Sequence, residues 1–166
     1  MQRRSDRTYR RALITGASRG LGRAYAEGLP PDTELILTGR DAAALDAVAD
    51  RLGSDGRTVE TLVADLATPE GRRSVIEAGE EAGIDLLINN AGIGLAGPFD
   101  EHEAEKVDYL VALNVAALTR LMHHALPGLL ARGRGGILNI ASLGGLAPGP
   151  YQAAYYASKA YVISLT

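Results

Sequence analysis

The chain has 166 residues, 46% apolar and 22% charged, with 20 glycines, no cysteine and a net charge of −3. Such a chain reads as one domain with a sizeable core, without a global basic field for nucleic acid, without disulfides, thiolate nucleophiles or cysteine-bound metals. The lack of cysteine fits a cytoplasmic protein, and no apolar run approaches the roughly 20 residues of a membrane helix. Residues 1–10 are expected to form a basic tail, because Arg3, Arg4, Arg7 and Arg10 cluster there, with Arg11 next to them, without the apolar segment of a secretory signal. From residue 11 onward, strand and helix signals alternate. A strand at 11–15 leads through a glycine-rich turn into a helix reaching about Leu29, where Pro30-Pro31-Asp32 breaks it. A second strand covers 35–38. Asp41 then caps a helix through Leu45, Val48 and Leu52, and Gly53 ends it. A third strand is expected at 58–63, a charged helix at about 69–82 and a fourth strand at 85–89. A glycine-rich loop from Ala91 to Pro98 precedes a long helical region at about 103–131. A fifth strand follows at 135–140, and a last helix begins near Gln152.

The strands are near-continuous apolar runs, which suits a parallel sheet covered by helices on both faces. Right-handed crossovers give a doubly wound α/β sheet of strand order 3-2-1-4-5. Ligands of such sheets sit at the carboxyl ends of the strands, at the switch point between the first and fourth. The turn Thr15-Gly16-Ala17-Ser18-Arg19-Gly20-Leu21-Gly22 lies at that edge, as do Asn89, Asn90 and Ser142. Strand, glycine turn and helix together aim backbone N–H groups and a helix dipole at a phosphate. Gly16 suits the tight turn, Gly20 a close approach of backbone to pyrophosphate, and Gly22 close packing of the helix on the sheet. An ordinary strand-to-helix connection would share these features, so the turn alone does not decide. At the other end of the chain, Tyr155 and Lys159 are four apart on a helix and share a face. An ammonium beside a phenol favours the phenolate, which can exchange a proton with a substrate. Tyr151 and Tyr156 are nearby rivals, but only Tyr155 has a lysine at i+4. His102, His123 and His124 lack partners at metal-ligand spacing, and no metal site is expected.

These residues resemble the short-chain dehydrogenases/reductases of the T-G-x-x-x-G-x-G subtype. Thr15-Gly16-x-x-x-Gly20-x-Gly22 is similar to the family's cofactor loop, and Asn89-Asn90-Ala91-Gly92 to its N-N-A-G segment. Asn114 matches the asparagine of the long helix, Ser142 precedes Tyr155 by the usual interval of thirteen residues, and Tyr155-x-x-x-Lys159 matches the catalytic pair. The resemblance implies a Rossmann-type domain over residues 11–166 and hydride transfer between a nicotinamide and a small-molecule carbonyl or secondary alcohol. It makes Tyr155 the general acid/base and Ser142 the residue that orients the reacting oxygen. Lys159 would favour the Tyr155 phenolate and bind the ribose, and Asn114 would hold a relay water. Gly16, Ser18, Arg19, Gly20, Leu21 and Gly22 would contact the cofactor, with Asn90, Ala91 and Gly92 beside them and Asp65 and Leu66 near the adenine.

At the end of the second strand, Arg40 can pair with a 2′-phosphate, and Arg19 adds a second cation, so NADP is expected rather than NAD. Asp41 could instead contact the ribose, although a helix cap is the expected role. Members of the family continue past the Tyr–Lys helix with further strands and helices, and the C-terminal strands are absent here. The chain therefore reads as incomplete at its C-terminus, leaving the fifth strand as an uncovered edge and the substrate pocket without one wall. The alternative function is a catalytically inactive nucleotide-binding remnant or scaffold of the same fold. The family also commonly pairs through the long helix and the Tyr155–Lys159 helix, which makes a homo-oligomer the expected assembly. Neither nucleic acid nor membrane is an expected partner.

Overall fold

The computed structural model describes residues 9–54 and 56–166. Arg3, Arg4 and Arg7 of the expected tail lie outside the described residues. The strands are β1 (Arg11–Thr15), β2 (Glu34–Gly39), β3 (Val59–Val63), β4 (Leu86–Asn89) and β5 (Gly136–Asn139). They form one parallel sheet in the order β3-β2-β1-β4-β5, as the sequence predicts. The helices are α1 (Gly20–Gly28), α2 (Ala42–Gly53), α3 (Pro69–Ala82), α4 (Ala104–Val111), α5 (Leu118–Ala131) and α6 (Ala153–Leu165).

Successive side chains of the central strands feed opposite layers. Ala12 and Ile14 of β1 join Leu35, Leu37 and Ile88 against Ala26 of α1 and Leu45 and Val48 of α2. Leu13 joins Ile36 and Leu87 against Val75 of α3 and Leu121 of α5. Burial on both faces is why these strands read as continuous apolar runs. The edges depart from that expectation: β3 exposes Glu60, Thr61 and Val63, and β5 exposes Leu138.

Helix starts follow their caps. Asp41 Oδ1 accepts the Ala44 N–H at 3.0 Å and caps α2, its expected role. Thr68 Oγ1 accepts the Gly71 N–H at 3.0 Å ahead of Pro69, and Gly83 ends α3 at φ +62°. Helix α1 is different, because Arg19 precedes it and supplies no side-chain cap. The long helix expected at 103–131 is interrupted: α4 and α5 are joined by a π-turn, Ala112–Ala117. Ahead of β1, the N–H groups of Arg10 and Arg11 donate to the buried carboxylate of Asp85, which ties the start of β1 to β4. Among the described residues, no helix is long and apolar enough to cross a membrane.

Candidate active site

The glycine turn is locked in place by the loop that follows β4. Thr15 Oγ1 accepts the N–H groups of Asn90 and Ala91 at 3.0 and 2.9 Å. Asn90 Nδ2 returns two bonds, to the carbonyls of Thr15 at 2.9 Å and Gly16 at 3.1 Å. These bonds join the ends of β1 and β4 across the switch point. Gly16 lies at φ +63°, and a Cβ there would come within 3.0 Å of Ala91 Cα. A Cβ on Gly22 would sit 2.2 Å from the Gly16 carbonyl oxygen and 2.5 Å from Asn90 Nδ2, so the bare glycine lets the start of α1 close onto the residues that end β1 and follow β4. Gly20, at φ +57°, has no heavy atom within 4 Å of its Cβ position. Open space in front of Gly20 and an uncapped helix start fit an anionic group.

A cavity of about 330 Å³ opens beside this turn. Gly16, Ser18, Arg19, Gly20, Leu21, Arg40, Asp65, Leu66, Asn90, Ala91 and Gly92, all expected at the cofactor, line it. Gly22 does not line it. The cavity also contains a residue that sequence reasoning missed, Tyr109 of α4. Arg40 Nη1 donates to Tyr109 Oη at 2.7 Å, and Tyr109 Oη donates onward to Asp65 Oδ1 at 3.0 Å. Burial pushes the Tyr109 phenol up from its ordinary value, Asp65 adds to the shift, and Arg40 opposes it. Asp65 Oδ1 also accepts the Ala67 N–H at 2.9 Å. A separate cavity of about 400 Å³ lies between α3 and α5, where His124 Nδ1 is 3.2 Å from Glu80; none of the expected site residues lines it.

Two of the expected catalytic residues, Tyr155 and Asn114, lie near a third, Lys159. Tyr155 and Lys159 are one turn apart on α6, and Lys159 Nζ lies 5.9 Å from the Tyr155 ring centroid. Lys159 is 7% exposed, and Nζ donates to the Ile140 carbonyl at 2.7 Å. Burial holds its ammonium below the usual lysine range. Asn114 sits in the π-turn, buried. Its Oδ1 accepts the Ile93 N–H at 2.9 Å, while Nδ2 donates to the Ile93 carbonyl at 2.9 Å and to Ser158 Oγ at 3.1 Å. Ser158 Oγ in turn donates to the Tyr155 carbonyl at 2.7 Å. Gly92 connects this group to the cavity, since its Cβ position is 3.2 Å from Asn114 Oδ1 and 3.7 Å from Lys159 Nζ. Ser142 Oγ accepts the Gly144 N–H at 3.1 Å, and among the described residues its own proton has no acceptor. No hydrogen bond joins Ser142 to Tyr155 among the described residues.

The two rival tyrosines have other surroundings. The ring of Tyr156 lies 2.4 Å from the Cβ position of Gly144 and 2.7 Å from that of Gly149, so it fills the space these glycines leave. Tyr151 is exposed at φ +60°, and its carbonyl accepts the Gly97 N–H at 2.8 Å, tying together the loops before α4 and α6. Ile93, Ile140 and Ser158 were not singled out by sequence reasoning. The first two act through backbone atoms, which leave no residue-type signal.

A parallel sheet of this order, with an open helix start at its switch point, defines a Rossmann-type α/β protein. The short chain dehydrogenase family profile matches residues 10–166, and the chain belongs to that family. It is 38% identical over 164 residues to a fatty acyl-CoA reductase of Mycobacterium tuberculosis, an alignment covering 93% of this chain and 55% of the relative. Among solved structures, a short-chain dehydrogenase from Sphingobium yanoikuyae in complex with NADPH is 41% identical at a TM-score of 0.87, covering 94% of this chain and 63% of that one. A bulky-bulky ketone specific alcohol dehydrogenase from Comamonas testosteroni is 36% identical at a TM-score of 0.89, covering 95% and 65%. The chain thus spans between about half and two thirds of the length of these relatives.

Proposed function

We propose that this chain forms the NADP(H)-binding and catalytic part of an oxidoreductase acting on a carbonyl or secondary alcohol. The observation that carries this reading is the position of Gly92. It lines the cavity beside the glycine turn and also touches the group built from Asn114, Lys159 and Tyr155. A dinucleotide laid along the turn would therefore end beside the one acid–base pair that the sequence singles out. The bound nicotinamide supplies or accepts the hydride.

The chain's own residues do the rest. Tyr155 gives a proton to the carbonyl oxygen on reduction and takes it back on oxidation. Ser142 donates its free hydroxyl proton to the same oxygen and orients it. Lys159 spends one N–H on Ile140, which leaves two for the ribose hydroxyls and a positive charge 5.9 Å from the Tyr155 ring. Asn114 holds the loop at Ile93 and the helix at Ser158 in fixed relation. Both protons of its amide are committed, so a relay water at its side chain would have one remaining lone pair of Oδ1. Arg40 supports NADP over NAD, because it lines the cavity while Asp41 is committed to capping α2. The NADPH-bound relative from Sphingobium supports the same choice. Exposed Val111 on α4, with Tyr161, Ile163 and Leu165 on α6, supports pairing of two chains through these helices, which light scattering on the chain in solution checks.

Tyr155→Phe tests the catalytic reading against a panel of ketones with NADPH. The expected loss of rate is about 10²–10⁴-fold, with NADPH affinity changed by less than about tenfold. A variant that reduces ketones as fast as its parent would overturn the assignment.

A further inference from the structure

Arg40 and Asp65 both line the cavity, yet they do not form a direct ion pair. Tyr109 stands between them. Its oxygen accepts from Arg40 Nη1 at 2.7 Å and donates to Asp65 Oδ1 and Oδ2 at 3.0 and 3.2 Å. A direct bidentate pair with Asp65 would occupy the guanidinium edge that a phosphate needs. The tyrosine takes a single nitrogen, and among the described residues no other hydrogen bond engages the guanidinium. Its Nε–Nη2 edge stays free for two parallel bonds. The Arg40 Cζ also lies 5.5 Å from the Tyr109 ring centroid, which restrains the side chain further. The carboxylate polarises the phenol, and a polarised phenol oxygen is a better acceptor for Arg40.

We propose that Tyr109 is a positioning residue for recognition of the adenosine 2′-phosphate: it fixes Arg40 by one nitrogen and keeps it apart from Asp65. This rests on the NADP(H) reading above. Tyr109 comes from α4, whereas Arg40 follows β2 and Asp65 follows β3, so the tyrosine couples cofactor choice to a helix outside the glycine turn. Its raised titration point keeps the phenol protonated, and the direction of the donor chain fixed, at neutral pH.

The test is a calorimetric titration with ADP-ribose and with ADP-ribose 2′-phosphate, ligands for the adenosine end alone. In Tyr109→Phe the preference for the 2′-phosphate is expected to fall about tenfold, the scale of one charge-assisted hydrogen bond. Arg40→Lys keeps the charge but loses the fork, and should lose preference similarly. The double variant should lose no more than either single one, because both changes break one device. A melting temperature for each variant separates loss of fold from loss of preference. An unchanged or increased preference in Tyr109→Phe overturns the inference and leaves the NADP(H) reading standing. A parent chain with no preference for the 2′-phosphate overturns both.

Discussion

Lys159 is the residue where stability and the proposed function oppose each other. Its ammonium is buried against a single carbonyl, and burial lowers its titration point. In the pH window between that lowered value and the usual lysine value of about 10.4, the unfolded chain holds the proton and the folded chain has released it. Stability therefore rises with pH through this window. Below it the cost of burying the charge is present in full. Lys159→Met is expected to melt higher than its parent at pH 7, by about 2–4 °C for each 1 kcal/mol recovered, and the gap should narrow as pH approaches 10. Thermal melts at a series of pH values check this, and the variant should lose ketone reduction. The pairing of Tyr155 with Lys159 was legible in the sequence because i,i+4 spacing is itself a geometric statement. Tyr109 was not legible. Its partners are 69 and 44 residues away, at Arg40 and Asp65, and a tyrosine in an amphipathic helix carries no mark of them.

At the scale of the element, the π-turn and the glycine turn carry the site. The π-turn brings Asn114 inward to hold the backbone of Ile93 and the hydroxyl of Ser158. Asn114→Ala leaves the Ile93 N–H and carbonyl without their side-chain partner and removes one of the two bonds of Ser158 Oγ, and urea unfolding should show a loss of about 2–4 kcal/mol. In the sequence only the polar Asn114 marked this turn, as a residue that could satisfy a distorted turn of the long helix, since apolar residues continue at three- and four-residue spacing on either side. The glycine turn was legible in type and only partly in mechanism. Its strand–turn–helix order came from the pattern, whereas the contact of Gly22 with the Gly16 carbonyl depends on how far the helix tilts onto the turn. Gly22→Ala, whose Cβ would meet that carbonyl at 2.2 Å, is expected to cost more than about 1 kcal/mol and to weaken cofactor binding. Gly28→Ala, in the same helix with nothing within 4 Å, should be neutral or slightly stabilising. Melting curves for the pair distinguish a contact at the turn from a general intolerance of alanine in α1.

At the scale of the molecule, strand order was legible because the three central strands are buried on both faces and right-handed crossovers leave few topologies. The edge strands followed the pattern less well, since β3 only half-buries Val59 and Leu62, one in each layer, and exposes Glu60, Thr61 and Val63. The cavity is a property of the assembled sheet. Its wall draws on the ends of β1, β2 and β4 and on α4, and the locking bonds of Thr15 and Asn90 span 74 to 76 residues. The most direct test of the account is a fluorescence titration of this chain with NADPH and NADH, beside an Arg40→Asp variant. Micromolar NADPH binding, at least about tenfold tighter than NADH binding, is expected, with the preference lost in the variant. Equal affinities, or a folded chain that binds neither cofactor, would contradict it.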